Sequence, residues 1–407
     1  MPPTDAETFD YVIVGAGSAG CVLANRLTAD GRHRVLLLEF GGSDRSIFIQ
    51  MPAALAYPMN TTRWNWRYES EPEPHLNNRR LHCPRGKGLG GSSSINGLVY
   101  VRGNPLDFEH WQEQGARGWG YANVLPYFKR AETRLEGGNA YRGGDGPLST
   151  TYGTLDNPLH HAWMEAARQA GYQLTEDYNG FRQEGFGRMD MTVRNGERCS
   201  SAKAHLYDAV KRPNLQVVQH ALATRILFDG TRAVGVEYER GGTLHTVRAG
   251  REVILSGGPI NSVQLLKLSG IGPAQELAGH GIPVLADRAG VGANLQDHLE
   301  FYFQMACTSR SPCSAMPTCW ARPGSASNGC CAARAWARPT TLNPAVSSAA
   351  APASAIPISS TTSSRWPSIT MAPRSPPSMA SKPTSGRCAR KAVARSRCAV
   401  PIRATRR

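Results

Sequence analysis

Residues 10–20 read Asp10-Tyr11-Val12-Ile13-Val14-Gly15-Ala16-Gly17-Ser18-Ala19-Gly20, and the fold is decided there. The first five are apolar and β-branched enough for a short strand, and the glycines that follow mark a tight turn. Residues 21–28 then place Val22, Leu23 and Leu27 at helical spacing. A second apolar run, Arg34-Val35-Leu36-Leu37-Leu38, closes on Glu39, 19 residues past Gly20. Strand, glycine turn, helix, strand and acid at this spacing make a dinucleotide-binding βαβ unit, whereas a lone Gly-x-Gly-x-x-Gly would be a chance turn.

Each residue of the unit has a physical task. Gly15 permits the turn, Gly17 lets the backbone approach a pyrophosphate, and Gly20 lets helix and strand pack closely. The helix start at Ser18 and Ala19 offers free N–H groups to the anion, and Glu39 is expected to accept from ribose hydroxyls. Farther along, Asn214 to Val218, Leu222 to Phe228 and Ala233 to Tyr238 alternate as strands do, and together predict an antiparallel layer.

A second glycine loop narrows the choice of dinucleotide. It runs Cys83-Pro84-Arg85-Gly86-Lys87-Gly88-Leu89-Gly90-Gly91-Ser92-Ser93-Ser94-Ile95-Asn96-Gly97, straight into the apolar Leu98-Val99-Tyr100-Val101. Leu89, Ile95 and Asn96 interleaved among the glycines suit a loop wrapped round a ligand better than a free tether. This stretch resembles the first signature of the glucose-methanol-choline oxidoreductases, and residues 258–273 resemble their second. Asn104-Pro105-Leu106-Asp107-Phe108, Gly118-Trp119 and Gly292-Ala293-Asn294-Leu295-Gln296-Asp297-His298 are similar to the bacterial choline dehydrogenase branch. The resemblance covers about residues 8–304.

It implies an α/β fold: a Rossmann-type FAD-binding domain with an interleaved, incomplete α+β substrate domain at roughly 45–80 and 140–200. The cofactor is then FAD, and the activity is alcohol oxidation by hydride transfer to flavin N5, with choline or a similar small alcohol as substrate and the electron acceptor unspecified. By the resemblance Gly88, Gly90, Ser92, Asn96 and Gly97 are FAD contacts, and Ala223 meets the adenine through its backbone unless it is ordinary strand packing. Some relatives carry a flavin-linked His where Ile95 stands, so FAD here is expected to dissociate. Asp297 and His298 are either turn-capping residues near the cavity or groups with a direct chemical role.

Flavin oxidation of an alcohol needs a base for the hydroxyl proton. In the family that base is a C-terminal His paired with a second His or Asn, yet the last histidine here is His298. The others, among them His75, His82, His110, His160, His161, His220, His245 and His280, match no catalytic position. No catalytic residue is therefore assigned, and this polypeptide is expected to turn over little or nothing.

Composition divides the chain at the same place. Of 46 basic and 31 acidic residues, 15 basic and no acidic ones lie from Phe301 onward, so the excess charge of +15 belongs to the last quarter. From residue 305 there is no Phe, Tyr or His and one Leu, Leu342, while seven of the ten Cys fall there. Such a Ser/Ala/Pro/Arg stretch buries too little to offset the entropy of ordering it, and residues 305–407 are expected to be a disordered tail. A basic tail is also a candidate for nucleic-acid binding by charge, which would make the chain a non-catalytic FAD- or nucleic-acid-binding protein. Its Arg are dispersed, though, and mixed with Cys and Trp, as out-of-frame GC-rich codons would give. Read in the neighbouring frame, Cys330-Cys331 forces leucine, and 332–344 permits apolar, aromatic and acidic residues together. We therefore expect a frameshift near Thr308 and no specific nucleic-acid partner.

Cys21, Cys83 and Cys199 are far apart with no CxxC pair, so neither a metal site nor a disulfide framework is expected. No run of 18 apolar residues occurs, and the start shows no secretory pattern; a cytoplasmic location, with peripheral attachment to the inner membrane left open, follows as an expectation.

Overall fold

The computed structural model describes residues 6–298 and the strand Ala345–Ser347. Its main sheet has six strands: β1 (Thr8–Val14), β2 (Val35–Glu39), β3 (Leu215–Gln219), β4 (Leu222–Asp229), β5 (Arg232–Arg240) and β6 (Thr243–Leu255), in the order β3-β2-β1-β6-β5-β4. The first crossover is the helix α1 (Ser18–Leu27). A later helix, α2 (Gly258–Leu268), leaves the end of β6.

Strand β2 is buried along its whole length, because its neighbours cover both faces. On one face Ile13, Val35, Leu37 and Leu215 pack under α1 through Cys21 and Ala24, together with Leu206 and Ala209. On the other, Val12, Leu36, Leu38 and Val218 meet Val236, Val247 and Ala249 of the antiparallel strands. Alternate residues of one strand therefore serve two cores, as a parallel strand requires. Each fully buried leucine contributes about 1.5–3 kcal/mol relative to exposure.

The antiparallel expectation for all three later strands needs correction. β3 runs parallel to β2, in the register Leu215↔Val35 to Gln219↔Glu39, and with Leu215 in one core and Val218 in the other it is covered on both faces, as parallel strands are. β4 and β5 are antiparallel as expected. β6 changes partner along its length: Thr243 to Arg248 pairs antiparallel with β5, and Arg248 to Leu255 pairs parallel with β1. The register shift between Phe9 and Tyr11 falls beside this change.

Between β2 and β3 the chain builds a second, four-stranded sheet, in the order Val99–Tyr100, Asp190–Met191, Leu148–Tyr152, Glu132–Arg134. An ion network pins it. Glu132 and Arg142 are fully buried and bond through two guanidinium nitrogens, Arg142 Nη1 reaches Asp177 at 2.6 Å and Asp190 at 2.9 Å, and Arg102 Nη2 reaches Glu132 at 2.7 Å. Burial works to raise the Glu132 pKa, but its bonds from Arg142 and Thr150 hold it below the ordinary value.

Of residues 305–407, Ala345–Ser347 pairs antiparallel with Gly185–Gly187; the expectation of disorder for the rest lies outside the described residues, as does the frameshift point at Thr308. Among the described residues no helix is long and apolar enough to cross a membrane, and no three His, Cys, Asp or Glu side chains gather as a metal site would. Cys21, Cys83 and Cys199 are unbridged.

Candidate functional site

A cleft of about 520 Å³ opens where the carboxyl ends of β1, β2 and β6 meet the amino ends of α1 and α2. This is where open parallel sheets hold ligands, because helix N-termini and turn backbones converge there. The first glycine turn forms its floor. A Cβ on Gly15, whose φ is +101°, would stand 2.6 Å from the Ser256 carbonyl oxygen, and one on Gly20 would stand 1.9 Å from the Gly15 carbonyl oxygen. Both glycines are demanded by the protein's own packing.

Gly17 differs. Its φ is −76°, and a Cβ there would meet no described protein atom closer than 3.9 Å. The fold does not need this glycine, yet the space in front of it belongs to the cleft, as expected where a ligand must approach the backbone. Beside it, α1 starts with no side-chain cap and no acidic residue in its first turn. Its leading N–H groups and the positive end of its dipole are thus free for an anion. Ser18 and Ala19 line the cleft, and so do Gly257, Gly258 and Pro259 at the start of α2.

The second glycine loop is fastened over the first. The Gly90 N–H donates to the Ala16 carbonyl at 2.8 Å, and the Leu89 N–H to that of Gly42 at 3.0 Å. Glu39 completes the clamp: Oε2 accepts from the Ala16 N–H at 2.9 Å, and Oε1 from the N–H groups of Gly41 at 2.8 Å and Gly88 at 3.0 Å. Glu39 lines the cleft but is spent largely on holding two loops together, rather than standing free for ribose hydroxyls; one lone pair is left on Oε2. Burial raises its pKa against the pull of these donors.

Of the residues singled out in the sequence, Gly15, Gly17, Ser18, Ala19, Glu39, Ser92 and Ala223 line the cleft together. Gly20, Gly88 and Gly90 do not line it. Asn96 and Gly97 are not among the lining residues; the Asn96 Oδ1 accepts from the Leu98 N–H at 3.1 Å and from Arg198 at 2.8 Å. Ile95 is buried with Ile49 and Trp64. Asp297 Oδ1 accepts from the His298 N–H at 2.9 Å, and its other oxygen lies 3.6 Å from Arg85, which lines the cleft.

Sequence reasoning missed an aromatic wall. Phe40 stacks on Trp66 with centroids 4.9 Å apart, and Trp66 on Tyr68 at 5.8 Å and 10° between planes. All three line the cleft with Arg85 and Asn261, and the Tyr68 hydroxyl bonds the Asn261 side chain. Lys87 Nζ sits 5.6 Å from the Phe40 centroid. The signal was present in the alternation Trp64, Trp66, Tyr68, whose second and third members face the cleft while the first enters a core.

The family model described as GMC oxidoreductase matches residues 9–300. The chain belongs to the GMC oxidoreductase family. It is 58% identical over 299 residues to an oxygen-dependent choline dehydrogenase of Sinorhizobium fredii, and 59% identical over 304 residues to one of Vibrio vulnificus. In both comparisons the match covers 74% of this chain and 54% of the relative, so the chain spans about half the length of the curated relatives it matches. Among solved structures, pyridoxine 4-oxidase from Mesorbium loti superposes with a TM-score of 0.69 at 34% identity, covering 71% of this chain and 57% of that one. An FAD-dependent oxidoreductase from Chaetomium thermophilum gives 0.67 at 33%, covering 71% and 52%.

The cofactor of this family's alcohol oxidoreductases is FAD, and the residues present fit it. The open face of Gly17 and two uncapped helix starts suit a pyrophosphate, Arg85 adds positive charge, and the aromatic wall offers flat apolar surface to a ring system.

Proposed function

We propose that this chain holds FAD in the cleft between the two glycine loops, and that it is the FAD-binding portion of an enzyme oxidising choline to its aldehyde. The observation that carries the cofactor reading is Gly17, which lines the cleft and whose Cβ would meet the protein only in ordinary contact at 3.9 Å, while Gly15 and Gly20 are closed by the protein's own backbone. The substrate reading is supported by the 58–59% identity to oxygen-dependent choline dehydrogenases.

In this reading FAD, when bound, supplies the two-electron acceptor. The chain's own part is binding and orientation. The N–H groups at the start of α1 and the Arg85 guanidinium would hold the phosphates, the Phe40–Trp66–Tyr68 stack would offer an apolar border to a ring, and Ala223 would line the cleft beside it. The ionisable side chains lining the cleft are Glu39, Tyr68 and Arg85. Glu39 is held by three N–H donors, so none of the three is placed as a free base for a substrate hydroxyl. We accordingly propose that the 407-residue chain binds FAD without turning over choline, and that a frameshift near Thr308 separates it from an active form. The identity to the curated relatives, which runs over 299 and 304 residues and covers 54% of their length, supports the latter.

Two measurements test this. Dye-coupled choline oxidation by the purified chain is expected to be absent while FAD is bound; ordinary turnover would refute the inactive reading. Sequencing the coding DNA across residues 304–311 is expected to show one base whose insertion or removal opens a frame ending in a histidine pair, and a confirmed, expressed frame would refute the frameshift.

A further inference from the structure

Arg198 closes the hairpin Val193–Arg194 with Glu197–Arg198 and is fully buried. Its Nε donates to the Ile49 carbonyl at 3.0 Å. Its Nη1 donates to the carbonyls of Ser93 at 3.2 Å and Asn96 at 2.9 Å, and to Asn96 Oδ1 at 2.8 Å. Every acceptor is neutral. Nη2 is buried with no hydrogen-bond partner among the described residues. The carboxylates near it in sequence are committed elsewhere, Glu197 to Lys203 and Asp190 to Arg142.

The contrast with Arg142 is instructive. Arg142 is equally buried but faces three carboxylates, whereas burial alone acts on Arg198 and draws its pKa down to about 10. A buried charge without a counter-charge is strongly unfavourable unless something else offsets it. What it holds is the segment from Ser93 to Asn96, directly after Ser92 in the cleft lining. The same segment is tied to α1, since Ser93 Oγ accepts from the Ser201 N–H at 2.9 Å and the Ser201 hydroxyl donates to the Ser18 carbonyl at 2.9 Å.

We propose that Arg198 is a positioning residue for the flavin site. It fastens the second glycine loop from behind and leaves an unbalanced positive charge there, which favours the cofactor in its more negative, reduced form. The inference rests on the cleft holding FAD and goes beyond that reading in assigning electrostatic tuning to a residue outside the cleft lining.

The experiment uses the full chain. FAD affinity is measured by fluorescence quenching, and the two-electron midpoint potential by equilibration with redox dyes, for wild type, Arg198→Lys, Arg198→Met and Asn96→Asp. Both Arg198 variants lose the guanidinium fork and bind FAD more weakly. Lys keeps the charge and the potential. Met lowers the affinity for reduced relative to oxidised FAD about tenfold, which is a fall of about 30 mV for a two-electron couple. Asn96→Asp is isosteric and supplies the missing counter-charge, so it lowers the potential even if both Arg198 variants fail to fold. The double variant Asn96→Asp with Arg198→Met separates that effect from the direct field of the new carboxylate: the substitutions are expected to be non-additive. Equal potentials for Lys, Met and wild type, or an unchanged potential in Asn96→Asp, overturn the inference while leaving FAD binding intact. A folded wild type that takes up no FAD overturns the cofactor reading and this inference with it.

Discussion

Gly17→Ala separates a glycine kept for a ligand from one kept for the fold. The added methyl meets no described atom of the apo protein closer than 3.9 Å, and φ at this position is one that alanine adopts freely. The apo chain then loses only the small preference for glycine over alanine at a helix N-cap, about 1 kcal/mol or less. A ligand backbone lying against Gly17 meets that methyl directly. Forcing a methyl into occupied space costs about 1–3 kcal/mol, equivalent to about 5- to 150-fold in affinity. Gly20→Ala is the control. There the Cβ would stand 1.9 Å from the Gly15 carbonyl oxygen, so α1 must move off β1, and a loss of about 3 kcal/mol or more of folding stability is expected. Thermal melting of the apo proteins and titration with FAD read the two effects apart. Gly17→Ala melts close to wild type and binds FAD weakly; Gly20→Ala melts well below it. Wild-type FAD affinity in Gly17→Ala, or a melting point lowered as far as that of Gly20→Ala, would refute the reasoning.

Glu132→Gln leaves Arg142 and Arg102 without their shared carboxylate, and a loss of about 3–5 kcal/mol is expected in urea unfolding. Because the folded-state pKa of Glu132 lies below its ordinary 4.5, its contribution is fully present above that value and is lost as pH falls through the lower folded one; wild-type urea midpoints should fall as pH drops below the ordinary carboxylate value, and those of the Gln variant less. Burial pushes the Cys21 thiol up to about 12, so peptide mapping after brief alkylation of the folded chain should find half-buried Cys83 labelled well before Cys21 or Cys199. Trp66→Ala removes the middle ring of the Phe40–Trp66–Tyr68 stack, and FAD affinity should fall about tenfold if the wall faces the cofactor; unchanged affinity would remove the wall from the site.

The βαβ unit was legible because each of its signals is local: a β-branched run, three glycines at fixed spacing, a helical repeat and a closing acid lie within 30 residues. The direction of β3 was not. Leu215, Val217 and Val218 read as a strand, and only the pairing register against β2 shows that it runs parallel. Glu39 was found by spacing, but its use as a clamp depends on Gly88, 49 residues away, a contact no local pattern carries. The aromatic wall escaped because Phe40 directly follows β2 while Trp66 and Tyr68 lie together on a later segment, and aromatic residues in loops read as core. Arg198 escaped for a similar reason: a buried arginine is recognised by what fails to neutralise it, which is a property of the fold.

The central claim is that the cleft between the two glycine loops holds FAD. It is tested most directly by titrating the purified chain, stripped of bound flavin, with FAD while following flavin fluorescence, alongside Gly17→Ala. The account predicts saturable binding of one FAD per chain, weakened in the variant at unchanged melting temperature. A folded chain that binds no FAD, or binds it equally well with the methyl in place, would contradict it.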